Sequence, residues 1–429
     1  MTQAIQTIKK PIQANIVIPG SRNLTYRALL LAALANGVSE ISGIAMSSSI
    51  RAFINALSQL GIVTQLDETS RSCIIAGGNG AFPKKQATLC CDDLSTMIYL
   101  LAAACAISSG IYYFDGGVKQ RKKSMAALLH LLRLQGIQSI PNDAQYLPFS
   151  LIGADSLEGR EILVTRTLKN HLISALLIIA PFARSPFTFT LEEGVNQSYI
   201  DMTCAMMAEF GVLVHRVHQN QLLVPVPQRY QAKDYVIEPD LGLASYLFAA
   251  AAITGGEITI QSFKRASSKQ PQIKFLSLLE KMGCPILETT TGLTVKAPQN
   301  LEGLEVSMRK FSEPFFALCA MAPFAKSPTK ILHLDPIKKK ESQYLAILKE
   351  AFTKMDIRVE IGADWIKIFP GIPKGHVLIS AHQPHIAMAF AVIGLKIPDV
   401  TVDTECIMDQ HPEFFKLCQH LINPSSMHV

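Results

Sequence analysis

The sequence predicts an α/β protein of two domains, each assembled from three copies of one small α/β unit. An Ala- and Leu-rich apolar run occurs six times, at 29–37, 100–110, 175–183, 246–256, 317–325 and 387–395, and successive starts lie 71, 75, 71, 71 and 70 residues apart. A second helical pattern trails each of the first five runs and stops at Gly61, Gly136, Gly211 and Gly283, spaced by 75, 75 and 72, with Asp356 at the same place 73 residues further on. Short β-branched runs, such as 38–44, 257–263 and 365–369, fill the gaps. Self-similarity at a fixed period marks a repeat architecture, and each unit reads helix, strand, helix, strand, strand.

Taken in order, the chain opens on a strand at 14–19, ahead of the first apolar run. The second helices follow at 52–62, 127–137, 201–212, 275–284 and 348–357, and a glycine at their ends supplies the left-handed residue that stops a helix. The uncharged stretch 94–114 is long enough to mimic a membrane span. Ser108, Ser109 and Gly110 break it into a buried helix and a β-prone segment, so it reads as soluble core. A fully apolar helix cannot be buried by one such unit, so the units must pack these helices together, with Ala permitting close approach. Six units divide into a first domain at 21–239 and a second at 1–20 plus 240–429. The chain crosses near Gly20 and Asp240, provided the strand 14–19 joins the second domain.

Composition narrows the function. With 429 residues, 49% hydrophobic and 17% charged, the chain is too apolar to be disordered. Forty Lys and Arg against 34 Asp and Glu leave a net charge of +6, suited to an acidic small molecule and short of a nucleic-acid footprint. The nine Cys, with Cys90 and Cys91 adjacent, follow no metal or disulfide spacing. Together with an N-terminal segment 1–16 that lacks an apolar core, they predict reduced thiols and a cytoplasmic protein, with no membrane and no nucleic acid as partner. No Ser-His-Asp order, zinc spacing, Walker loop or dinucleotide fingerprint stands out.

The motifs carry the functional signal. Pro19-Gly-Ser-Arg22-Asn23-Leu-Thr-Tyr-Arg27 and the apolar run after it resemble P-G-S-K-S-x-S-N-R-A-L-L-L-A-A-L-A-x-G, the opening motif of the 5-enolpyruvylshikimate-3-phosphate (EPSP) synthase family. The segment 240–253 is similar to that family's D-x-S-S-A-S-Y-F-L-A-A-A-A-I, and Ser198-Tyr199-Ile-Asp201 and Lys340-Glu341 fall in register. The resemblance spans essentially the whole chain. It implies the enolpyruvyl transferase fold, in which two domains of three repeats, each resembling an inverse α/β barrel, flank a cleft. It also implies a transferase of aromatic amino acid biosynthesis that moves the enolpyruvyl group of phosphoenolpyruvate onto shikimate 3-phosphate in the shikimate pathway, as a monomer and without metal or organic cofactor.

On that resemblance, catalytic roles fall to Arg22, Glu313, Lys340 and Glu341. Substrate contacts fall to Arg22, Asn23, Arg27, Lys123, Lys169, Asn170, His171, Tyr199 and Lys340. Several positions depart from the pattern. The loop L-G-N-A-G-T-A-M-R-P reads Cys91-Asp92-Asp93-Leu-Ser-Thr-Met-Ile-Tyr99-Leu100, with its glycines gone, two carboxylates added and its Arg replaced. The S-S-Q triplet is Lys169-Asn170-His171, the catalytic Asp is Glu313, N-D-H-R is His382-Gln-Pro-His385, an Arg after Lys340 is Tyr344, and a late Lys is Asp409. Three cations are thus lost and a fourth is reversed in sign. At about 1.5–3 kcal/mol for each charge-assisted hydrogen bond, the losses sum to roughly 6–12 kcal/mol if additive. The expectation is a divergent member whose parent reaction is lost or altered, a pseudoenzyme candidate that retains a cleft for a phosphorylated shikimate-like anion. The alternative is a weak EPSP synthase, or an enolpyruvyl transferase with another acceptor.

Overall fold

The computed structural model describes residues 2–92, 97–334, 343–379 and 383–423. The chain forms two compact units, a continuous one from Gly20 to Ile237 and a split one made of Met1–Pro19 and Glu238–Val429. Each has its own hydrophobic core.

The continuous unit holds three four-stranded sheets. In the second, Gln86–Cys90 pairs in parallel with Gly110–Asp115, which pairs antiparallel with Phe149–Gly153, and Gln138–Ile140 closes the far edge. The third repeats this order with Glu161–Val164, Phe187–Leu191, Gln221–Val224 and His215–His218. In each, the parallel pair is bridged by an apolar helix, Ile98–Ala106 or Asn170–Ile179, because parallel strands need a long crossover. The first sheet takes its parallel strand, Tyr235–Val236, from the end of the unit and lays it beside Asn36–Ser42.

The split unit follows the same plan with a complementary displacement. Its first sheet borrows Gln13–Ile16 from the N-terminal segment, in parallel with Glu257–Gln261. Its second is built from Glu305–Ser307, Thr329–Leu332, Trp365–Ile368 and Val359–Ile361. Its third has three strands, with Thr2–Ala4 antiparallel to Val400–Asp403 and Val377–Ile379 parallel to it.

All six apolar runs begin in buried helices: Arg22–Leu34, Ile98–Ala106, Asn170–Ile179, Leu241–Thr254, Phe315–Met321 and Pro384–Gly394. In Leu241–Thr254 every residue but Gly242 and Thr254 is buried. This is what an all-apolar helix requires. The last three of the six pack against one another within the split unit. The amphipathic second helices, such as Ser48–Gln59 and Lys274–Lys281, cover the outside with one face turned inward. Among the described residues, no helix is long and apolar enough to cross a membrane.

Candidate functional site

In the continuous unit, the helix Arg22–Leu34 places Arg22 and Asn23 in its first turn, both half-buried, and Arg27 one turn deeper. The first turn carries no acid and Ser21 makes no side-chain cap, so the positive end of the helix is not answered from within it. Arg27 is only 1% exposed. Its Nε donates to Thr203 Oγ1 at 2.9 Å, Nη2 to Ser174 Oγ at 2.8 Å, and Nη1 to the Asn23 carbonyl at 2.8 Å. The two hydroxyls lie 2.9 Å apart, and Thr203 Oγ1 donates to the Tyr199 carbonyl at 2.8 Å. Arg27 therefore ties its own helix to Asn170–Ile179 and Ser198–Glu209, and it reaches Tyr199 through Thr203.

The helix Asn170–Ile179 begins directly after Lys169, again with no side-chain cap and no acid in its first turn. Lys169 is exposed, while Asn170, His171 and Tyr199 are half-buried. Lys169 Nζ donates to the Tyr99 hydroxyl at 3.3 Å and lies 5.6 Å from that ring's centroid. Tyr99 in turn donates to the Ser124 carbonyl at 3.0 Å. Lys123 is half-buried beside them. Burial first, then the charges of Lys169 and Lys119, hold its ammonium below the ordinary lysine range. Two other charges nearby are answered locally. Arg121 pairs with Asp115 at 2.8 Å, and the Asp92 carboxylate, expected from sequence to repel an anion, accepts the Gly117 N–H.

In the split unit, Glu313 is half-buried just ahead of the helix Phe315–Met321, and its carboxylate accepts from the Gln272 amide. Position 385, where the motif carries Arg, holds an imidazole nearly parallel to Phe316 (centroids 6.1 Å apart, planes at 5°) and to Tyr246 (6.3 Å, 11°). The Tyr246 hydroxyl lies 3.2 Å from His385 Nδ1, and burial, with Cys319 and Glu313 adding to it, pushes this phenol well above its ordinary range. Tyr344, another motif Arg position, sets its ring edge-on to Phe316 at 6.3 Å, and His411 approaches His385 at 5.4 Å. Asp93, Lys340, Glu341, His382 and the side chain of Asp409 lie outside the described residues.

Sequence reasoning missed Ser174, Thr203, Gln272 and the pairing of Tyr99 with Lys169. A hydroxyl on an otherwise apolar helix face, as at Ser174 and Thr203, was the available signal for the first two. Burial pushes the thiols of Cys91, Cys204, Cys284 and Cys418 up to about 12, which makes these four poor nucleophiles near neutral pH. Among the described residues, no group of three His, Cys, Asp or Glu could hold a metal ion.

The fold is that of the enolpyruvyl transferases. The structure is similar to EPSP synthase from Acinetobacter baumannii, with TM-score 0.84, 19% identity and 98% of each chain covered. It is also similar to the enolpyruvyl transferase NikO from Streptomyces tendae, with TM-score 0.74, 14% identity and 97% and 96% covered. The profile of EPSP synthase (3-phosphoshikimate 1-carboxyvinyltransferase) matches residues 6–417, and the chain belongs to that family. Relatives include the 3-phosphoshikimate 1-carboxyvinyltransferase of Trichormus variabilis, 36% identical over 96% of this chain and 97% of that one. The 3-phosphoshikimate 1-carboxyvinyltransferase 2 of Halalkalibacterium halodurans is 31% identical over 96% and 93%.

Proposed function

We propose that this chain retains the family's site for a phosphorylated, shikimate-like anion and has lost, or greatly slowed, enolpyruvyl transfer from phosphoenolpyruvate. The observation that carries this reading is the ring cluster of the split unit. Where the family motif offers guanidinium groups at 344 and 385, the rings of Tyr344 and His385 pack on Phe316. A ring lacks the planar five-donor fork that holds a carboxylate or phosphate in two places. Electrostatic stabilisation of charge that develops during the reaction is usually the largest catalytic contribution, so its loss weighs on turnover before binding.

The cations of the continuous unit support retention of an anion. Arg22, Lys123 and Lys169 stand at half-buried or exposed positions, beside helix starts that carry no acid. Asn23, Asn170, His171 and Tyr199 supply further polar groups, while Arg27 braces the helices that carry them. Glu313, Lys340 and Glu341 complete the proposed set from the split unit. The ligand would lie in a cleft between the two units of a cytoplasmic monomer, with no cofactor. A second reading, a weakly active EPSP synthase or an enolpyruvyl transferase with another acceptor, is favoured by 31–36% identity to proteins of that name over nearly the whole chain.

Calorimetric titration with shikimate 3-phosphate at low salt tests the proposal. Binding tighter than about 1 mM, equivalent to roughly −4 kcal/mol, that weakens in Lys169→Ala supports it. No binding of that ligand, or binding indifferent to Lys169→Ala, counts against a retained site.

A further inference from the structure

Lys123 and Lys169 belong to different repeats of the continuous unit, yet the charge of Lys169 bears on Lys123. Among the described residues neither carries an ion pair, and neither does Lys119, although the nearby Arg121 and Asp92 are answered by Asp115 and the Gly117 N–H. Like charges beside the half-buried Lys123 disfavour its protonated form until an anion joins them.

The arrangement is also held in place. Tyr99, 4% exposed, donates its hydroxyl proton to the carbonyl of Ser124, the neighbour of Lys123 in the chain, and accepts from Lys169 Nζ. One phenol thus links the segment that carries Lys123 to the amine of Lys169. The start of the helix Asn170–Ile179, with no acid in its first turn, adds positive potential beside Lys169. The family motifs place Arg at position 99 and Ser at position 169. Here the hydroxyl stands at 99 and the cation at 169, and the two are in contact.

We propose that Lys123 and Lys169 form one clamp for a compact dianion, the phosphate of a phosphate monoester, and that Tyr99 is the positioning residue that sets the spacing of the clamp. This deepens the anion-binding reading above and rests on it. A dianion bridging the amines would offset the repulsion at Lys123 and favour its protonated form.

The test follows the Lys123 side chain of the whole protein by NMR with 13C-ε-labelled lysine, its signal identified by its absence in Lys123→Arg. The probe is inorganic phosphate at constant ionic strength. In the ligand-free protein, Lys169→Ser is expected to raise the Lys123 titration midpoint, and phosphate is expected to raise it in the wild type. Phosphate affinity is expected to fall about tenfold in Lys169→Ser and about threefold in Tyr99→Phe, the scale of one lost charge-assisted or neutral hydrogen bond. Adding Tyr99→Arg to Lys169→Ser is expected to restore affinity, a rescue that a merely structural tyrosine would not give. Phosphate that leaves Lys123 unmoved, or that binds wild type, Lys169→Ser and Tyr99→Phe alike, overturns the clamp. If shikimate 3-phosphate still binds the wild type in either case, and binds Lys169→Ala more weakly, the clamp fails while the proposed function stands.

Discussion

Arg27, 1% exposed, donates to two hydroxyls and a carbonyl that lie on three helices of the continuous unit, its own among them. Truncation would strand Ser174 and Thr203 in the core, although those two can still bond each other. Arg27→Ala should therefore cost about 2–4 kcal/mol in urea unfolding, the range for breaking a buried charged network. A cost below about 0.5 kcal/mol, typical of a surface change, would show that the network does not brace the fold. Lys123 makes the opposite kind of contribution. Its protonated form is disfavoured in the folded protein, mainly by burial and then by Lys169 and Lys119. The unfolded chain thus binds this proton more readily, and stability rises with pH between the lowered native value and the ordinary lysine value near about 10.4. Below that window the penalty is fully present. Lys123→Met should be more stable than wild type at pH 7, with the difference vanishing above the window. Chemical denaturation across pH measures both, and a variant less stable at pH 7 would contradict the assignment.

At the scale of the element, the second helices end on Gly61, Gly136, Gly211 and Gly283, with φ of 91°, 85°, 84° and 93°. A side chain in this left-handed conformation costs roughly 1–2 kcal/mol. An added Cβ at Gly136 would meet nothing closer than 3.8 Å, so backbone strain alone decides the outcome there. Gly136→Ala should lose about 1–2 kcal/mol in thermal or urea unfolding, and an unchanged midpoint would contradict this. Asp356 holds the same place in the fifth repeat with φ of 62°, which its short polar side chain tolerates. These stops and the six apolar runs were legible in the sequence because both follow from local chemistry: an all-apolar helix must be covered, and a left-handed residue favours glycine. Other features arise only on folding. Nothing in the residues Thr2–Ala4 announces a strand that completes a sheet beside Val400–Asp403. Nor does the sequence reveal that Lys169 meets Tyr99, or that His385 lies parallel to both Phe316 and Tyr246. Motif register pointed to positions 22, 23, 27, 123 and 169, but the partners of these side chains come from distant repeats.

Across the whole molecule, the first sheet of each unit takes one strand from out of sequence order. Tyr235–Val236 begins the first sheet of the continuous unit, and Gln13–Ile16 begins the first sheet of the split one. The chain thereby passes between the units twice, at Pro19–Gly20 and at Ile237–Glu238. Such a scaffold can outlive its chemistry, because the cores depend on Ala-rich helices while the candidate site depends on a handful of polar side chains at their ends. The central claim is that this chain holds the family's fold and an anion site without the family's turnover. The most direct measurement is phosphate release with shikimate 3-phosphate and phosphoenolpyruvate both saturating, with the enolpyruvyl product sought by NMR in the same mixture. The account predicts neither phosphate nor product above the rate without protein. Turnover in the usual enzyme range of about 1–10³ per second, with product formed in step with phosphate, would contradict it.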